Sequence, residues 1–265
     1  MPTSSGKARP VREGSRRHIA APAQPIMTGG SGTARHDVVV PGPARSSSTR
    51  SRSVADDPRF QKVRQKLIGA VVELGREGSV DAVTISQLAS RAGVARQTVY
   101  KHTPSAPALL AEYLDTQLGE YIEDLAKLVT VPGSHPRAEL QRIYGELMEC
   151  VSRDADLYAH VFAAEGASTT LAALMRLAEP RMGAYVRQFA GQLSEPPTAL
   201  WVEMAAAQQL FNVVAMIRAW IRTGGEAGDS AAVDAYLTLA PPWQLARLDG
   251  ARDLPGRLYQ RESRR

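Results

Sequence analysis

The sequence predicts an all-α protein, and three observations predict it. Apolar side chains recur at spacings of three and four from Phe60 onward, so that Phe60, Val63, Leu67, Val71 and Leu74 share one helical face. Beyond residue 107, stretches of the same period follow one another, divided by Pro132, Gly133, Pro136, Gly166, Pro196, Pro197, Gly224 and Gly225, with no strand-like alternation between them. A glycine turn at Gly93 joins two shorter helical stretches.

Taken in order, residues 1–55 combine Pro, Gly, Ser and Arg around one apolar island at residues 38–40. Such a composition buries too little apolar surface to offset its ordering entropy, so a disordered basic arm is expected. Three readings stay open for it: a flexible contact to DNA, an Arg- and Ser-rich organelle leader, or a stretch upstream of a true start at Met27. The first helix runs from about Phe60 to Gly78. In "TISQ", Thr84 and Gln87 have the spacing of a capping box, which starts a second helix with Ile85, Leu88, Ala89 and Ala92 inward. Gly93 is suited to the left-handed conformation that ends it, Val94 tucks under the turn, and a third helix starts near Ala95 with Val99 as its apolar residue. Three helices with a short turn between the last two make a helix-turn-helix, assigned to residues 56–104. Six helical stretches fill residues 105–243, and residues 244–265 form a basic tail. Pro180, inside the stretch 169–193, predicts a kink or two shorter helices there.

Charge is unevenly spread. Residues 1–55 hold 9 basic and 2 acidic side chains, residues 56–102 hold 8 and 5, and residues 103–265 hold 15 and 20. Positive charge gathered at one end is what a polyphosphate partner rewards, although a solvated basic tail reads the same way. The single cysteine, Cys150, excludes an intramolecular disulfide and multi-cysteine zinc sites. With no run of 18 apolar residues and no secretory leader pattern, the expected location is the cytoplasm, away from membranes.

The polar residues after Gly93 need a reason to be exposed. In a helix-turn-helix the second helix of the pair lies in the major groove. Arg96 has the donor fork for guanine, Gln97 pairs with adenine, and the Thr98 methyl meets a thymine methyl. Tyr100, Lys101, His102 and the amides at Thr84 suit phosphates.

In register, Thr84, Leu88, Ala89, Ala92, Gly93, Val94, Thr98, Val99, Tyr100, His102, Ser105, Leu109 and Leu110 resemble the DNA-binding domain of the TetR family of transcriptional regulators. The resemblance covers about residues 60–112. It departs at Ala95, where a Ser cap worth about 1 kcal/mol is usual, at Thr103 and Gly75, where aromatics are usual, and at Ala106, where a phosphate-binding Lys is usual. Ser105 remains as a cap and Pro107 fits a first helical turn. The basic run Arg59, Lys62, Arg64 and Lys66, or the arm, is a candidate substitute for the lost Lys.

What the resemblance implies is a ligand-responsive regulator, most often a repressor, binding a double-stranded palindromic operator and released by a small-molecule effector. Its ligand pocket would lie among Tyr144, Met148, Tyr158, Phe162, Met175, Met182, Tyr185, Phe189 and Trp201, whose apolar, Met- and aromatic-rich character suits a hydrophobic effector. Independently of the resemblance, the fifth stretch beyond residue 107 is apolar on two faces and needs two partners. Leu210, Phe211, Val214, Ile217, Trp220 and Ile221 are therefore candidates for a two-fold homodimer interface completed by residues 230–240, the alternative being burial within one subunit.

No cofactor is expected, and no enzyme. Asp154, Asp156 and His160 have a loose metal-ligand look, and Cys150 with His160 a nucleophile look, but no further ligands, phosphate loop or nucleophile elbow accompany them. The competing non-enzyme reading is a helical ligand sensor or interaction module whose reading head has degenerated.

Overall fold

The computed structural model describes residues 57–130, 136–163, 168–193, 195–226 and 228–245; the arm and most of the basic tail lie outside them. The elements are α1 (Pro58–Glu77), a 3-10 turn (Val80–Ala82), α2 (Ile85–Ala92), α3 (Arg96–Val99), α4 (Ala106–Thr130), α5 (Pro136–Arg153), α6 (Ala155–Phe162), α7 (Thr169–Ala190), α8 (Ala199–Arg222), α9 (Gly228–Leu239) and α10 (Pro242–Leu245). The fold is all-α, with no strand among the described residues.

Each helix of the N-terminal unit starts where its cap permits. The Asp57 carboxylate accepts from Arg59 N at 2.8 Å with Pro58 in the first turn, where a missing N–H is harmless. One face of α1 then turns Leu67, Ala70, Val71 and Val72 inward. A Cβ at Gly75 would sit 2.5 Å from Leu157 Cδ1, so α6 packs closely against α1 at this point. Two polar contacts hold that approach. Arg76 donates to both Asp154 oxygens at 2.8 and 2.7 Å, and His160 Nδ1 meets the Gly75 carbonyl at 2.8 Å.

Beyond the helix-turn-helix, α4 and α7 form the most extensive helix pair, α8 packs on α7, α5 packs on α4 and α9, and α6 bridges α1 and α8. The N-terminus of α7 is capped from two sides. Ser168 Oγ accepts from Leu171 N at 3.2 Å, while Asp81, from the 3-10 turn, accepts from Thr169 N at 2.8 Å, Thr170 N at 3.1 Å and Thr170 Oγ1 at 2.7 Å. A carboxylate at this end also complements the helix dipole.

Two expectations change. Of the two outcomes expected at Pro180, the split into shorter helices does not occur: α7 runs unbroken from Thr169 to Ala190, with Pro180 and the residue four before it, Arg176, both exposed, so the freed carbonyl is open to solvent. And the division at residue 243 falls inside α10, whose Trp243 and Gln244 are buried. Trp243 packs among Tyr185 and Phe189, both tilted to it, and Trp201, edge-on to it, with centroids 6.1, 5.1 and 5.8 Å away. Beside it, Tyr144, Gln209, Tyr236 and Gln244 form a buried polar cluster tying α5, α8, α9 and α10. Gln209 Nε2 donates to both tyrosine hydroxyls, Tyr236 OH to Tyr144 OH at 3.0 Å, and Gln244 Nε2 to Tyr144 OH at 2.9 Å.

The Asp81 cap yields a stability test. Asp81→Ala leaves two α7 amides to water and is expected to lower the unfolding free energy by about 1–2 kcal/mol, read from urea denaturation; an unchanged midpoint and slope would show the cap to be dispensable.

Candidate functional site

The helix-turn-helix is built from its turn. Thr84 Oγ1 accepts from Gln87 N at 3.3 Å and Gln87 Oε1 accepts from Thr84 N at 2.8 Å, the reciprocal pair that starts α2. Gly93 adopts φ 63° and ψ 39°, and the Val94 amide reaches back to Ala89 O at 3.0 Å, closing the helix as a left-handed cap does. Ala95 then opens α3 with no side-chain cap. Only one regular turn follows, Arg96–Val99, and the Lys101 and His102 amides continue it with bonds to Thr98 O at 3.1 Å and Val99 O at 2.8 Å.

Val99, fully buried, anchors this short helix to the core, which leaves Arg96, Gln97, Tyr100 and Lys101 exposed and Thr98 half-buried. Arg96 Nη2 donates to Tyr100 OH at 3.2 Å with its guanidinium carbon 5.8 Å from the ring centroid. Thr84 is exposed at the start of α2.

His102 behaves differently from the phosphate contact expected of it. Its ring stacks on Phe60 with centroids 3.9 Å apart, and its Nδ1 is buried without a hydrogen-bond partner. Burial, with the positive charges of Arg64 and Lys101, pushes the imidazole below its usual range. The half-buried ring thus packs on α1 through Phe60. Arg64 is likewise spent internally, donating to His102 O at 3.3 Å and Glu112 Oε2 at 2.6 Å, whereas Arg59, Lys62 and Lys66 are exposed on α1. Thr103 fills its aromatic position by hydrogen bonding: buried, it donates to Ser105 O at 2.8 Å, and Ser105 Oγ caps α4 through Ala108 N at 3.2 Å.

A cavity of about 60 Å³ lies between α4, α5, α6, α7 and α8. Of the residues expected to line a pocket, it gathers Tyr144, Phe162, Met175 and Met182. Met148 and Tyr158 are buried but do not line it, and Tyr185, Phe189 and Trp201 turn toward Trp243 of α10, a short helix too brief to leave a periodic signal. Sequence reasoning missed Leu118, Tyr121, Ile122 and Leu125 on α4, and Asp115, the one acid in the wall. The available signal was an acid on the inward stripe of α4, at helical spacing from Ala111, Leu118 and Ile122. Burial pushes the Tyr121 hydroxyl up to about 12, helped by the nearby Cys150 thiol, so this wall group stays a neutral donor.

The interface residues divide between two faces of α8. Leu210, Val214 and Ile217 line the cavity and so belong to the subunit's own core, because α7 already covers that face. Phe211 is 61% exposed, and Trp220 and Ile221 are half-buried. Between α8 and α9 runs a groove of about 380 Å³ floored by Ala215, Ala219, Ala231, Ala232 and Ala235, with Trp220 and Leu239 in its walls and Leu239 82% exposed. Among the described residues, α8 is the one helix long and apolar enough to cross a membrane, by length and composition alone.

The residues with an enzymic look are engaged elsewhere. Asp154 and His160 hold α1, Asp156 is exposed, and Cys150 Sγ lies 3.5 Å from Tyr158 OH. Among the described residues no three of His, Cys, Asp and Glu are grouped as metal ligands.

His102 gives a pH test. Its folded-state pKa is lowered, so the unfolded chain binds the proton more readily. Its stabilising contribution is whole above the unfolded value near about 6.5 and is lost as pH falls through the folded value. Between about pH 7.5 and about pH 5.5, the protein is expected to lose more unfolding free energy than His102→Phe, measured by urea titration at each pH; parallel losses would remove the ring from the account.

No protein-family model matches the chain. It is 30% identical over 115 residues to the HTH-type transcriptional repressor KstR of Rhodococcus jostii (strain RHA1), a match over 42% of this chain and 53% of that protein, so it spans about half the length of that relative. Among solved structures, one from Syntrophomonas wolfei strain Goettingen, described as a TetR-family transcriptional regulator, is similar with a TM-score of 0.53 at 14% identity, over 70% of this chain and 96% of that one. Thermus thermophilus FadR, a TetR-family transcriptional repressor in complex with lauroyl-CoA, is similar with a TM-score of 0.50 at 19% identity, over 73% and 98%. The chain shares the fold of these two TetR-family structures, and the helix-turn-helix described above is the part whose residues resemble that family.

Proposed function

We propose that the chain is a sequence-specific DNA-binding transcriptional regulator, a cytoplasmic homodimer that represses from a palindromic operator and leaves it when a small hydrophobic effector binds. The observation that carries this reading is the construction of α3: one buried residue, Val99, fixes a turn whose Arg96, Gln97, Tyr100 and Lys101 stand in solvent. Bases are read by Arg96, Gln97 and Thr98, and phosphates by Tyr100, Lys101 and the Thr84 amide end of α2, with Arg59, Lys62 and Lys66 as further phosphate contacts. The groove between α8 and α9 takes the same groove of a second copy, setting two reading heads about one DNA turn apart.

The cavity is the effector site, and α4 connects it to the reading head. Leu118, Tyr121, Ile122 and Leu125 of α4 face the cavity, while Glu112, nearer its start, is bound to Arg64, which also holds the His102 carbonyl at the end of α3. At about 60 Å³ the cavity is far below the roughly 300–1,000 Å³ of ligand sites. The described state is therefore closed, and an effector must part its walls, favouring a conformation in which α4 no longer holds both heads in register.

Two measurements test this. Fluorescence anisotropy with DNA flanking the gene against shuffled DNA, at about 150 mM salt, is expected to give a preference of about a thousandfold that Arg96→Ala removes; equal, steeply salt-dependent binding to every candidate operator would favour a sensor with a degenerate reading head. For the dimer, Leu239→Glu, at an exposed residue of the groove, is expected to convert the protein to monomers in sedimentation velocity and to remove operator binding at concentrations where the parent protein binds, with far-ultraviolet dichroism unchanged. A dimer that survives the substitution would move the interface elsewhere.

A further inference from the structure

The wall of the cavity carries one charge, and its partner lies outside. Asp115 lines the cavity with its side chain 12% exposed, while Arg181 of α7, which donates to both Asp115 oxygens, is 38% exposed and is absent from the lining. The guanidinium lies across Gly119, the next turn of α4, where a Cβ would come within 3.3 Å of Nη1. Gly119, Ala178 and Met182 all line the cavity, so Arg181 fills a gap between α4 and α7 that a larger residue at 119 would have closed. The Asp115 hydrogen bond holds the guanidinium above its usual pKa against the opposing effect of burial, and Glu123 adds to its negative surroundings.

Resting on the reading of this cavity as the effector site, the geometry points to an effector with a cationic, hydrogen-donating head on an apolar body, admitted between α4 and α7 as that head replaces Arg181 on Asp115. The reason is an asymmetry between the partners. Arg181 already touches water and swings outward with little loss of solvation. Asp115 is set in an apolar wall, and a buried carboxylate stripped of its partner is strongly unfavourable. An effector that displaces Arg181 must therefore bring positive charge and donors of its own. A carboxylate or phosphate head would instead meet Asp115 and the field of Glu123. Behind the head, the faces of Tyr121 and Phe162 and the thioether of Met175 suit both a cation and an aliphatic chain.

The test uses three probes of equal chain length, decylammonium, decanol and decanoate, titrated below micelle formation into the full-length protein by isothermal calorimetry. Decylammonium is expected to bind at least about tenfold tighter than decanol, with decanoate weakest. Asp115→Asn should erase the preference, and Arg181→Ala, which removes the competitor, should tighten decylammonium severalfold while leaving decanol unchanged. Leu174→Trp, which fills the cavity, should abolish binding of all three. Equal binding of the three probes, or a preference for decanoate, with Leu174→Trp still blocking them, would overturn the cationic class and leave the cavity as the effector site. No binding by any probe, or binding that survives Leu174→Trp, would overturn both. The comparison of probes on the unmutated protein decides the class even where a variant fails to fold.

Discussion

The stiffness of α4 is the constraint on which the rest depends. Its 25 residues span about 37 Å at about 1.5 Å each, with no proline beyond the first turn and no break among its hydrogen bonds. Its first turns, with Ala106, Leu109 and Leu110 fully buried, are wedged beneath the helix-turn-helix, and its middle forms one wall of the cavity. A close-packed interior does not absorb displacement locally. Whatever moves Leu118 or Ile122 is therefore felt at Glu112 and the residues before it.

Three further contacts join the helix-turn-helix to the helices beyond, and they differ in kind. The Arg76 and Asp154 pair is half exposed and is worth roughly 1 kcal/mol or less, falling with salt. The Asp81 cap and the His160 contact to Gly75 reach backbone groups, so they fix positions of helices rather than of side chains. The helix-turn-helix is thus attached at α6 by a surface ion pair and a ring-to-backbone contact, and at α7 by the Asp81 cap.

Much of the reading head was legible in the sequence because its determinants are local. A capping box needs only Thr84 and Gln87 three residues apart, and a left-handed cap needs only Gly93 in the right place. What escaped depended on partners distant in the chain. Periodicity identified both apolar faces of α8 without saying which one α7 would cover, so Leu210, Val214 and Ile217, which line the cavity, were grouped with Phe211, which is exposed outside it. Tyr185, Phe189 and Trp201 had the composition of a ligand wall, and only the arrival of Trp243 from the far end of the chain shows where they turn. His102 stood in register with the resemblance in sequence, but the ring it stacks on, Phe60, lies 42 positions earlier.

Pro180 has a mechanical consequence. It removes one rung from the hydrogen-bond ladder of α7, freeing the Arg176 carbonyl, at the residue immediately before Arg181. A rod with a missing rung bends there at lower energy than elsewhere along its length. One end of α7 is clamped by Asp81, and near the other Tyr185 and Phe189 lie against Trp243, so compliance is concentrated between two fixed supports. The wall can thus bow outward beside its single ion pair without releasing either end.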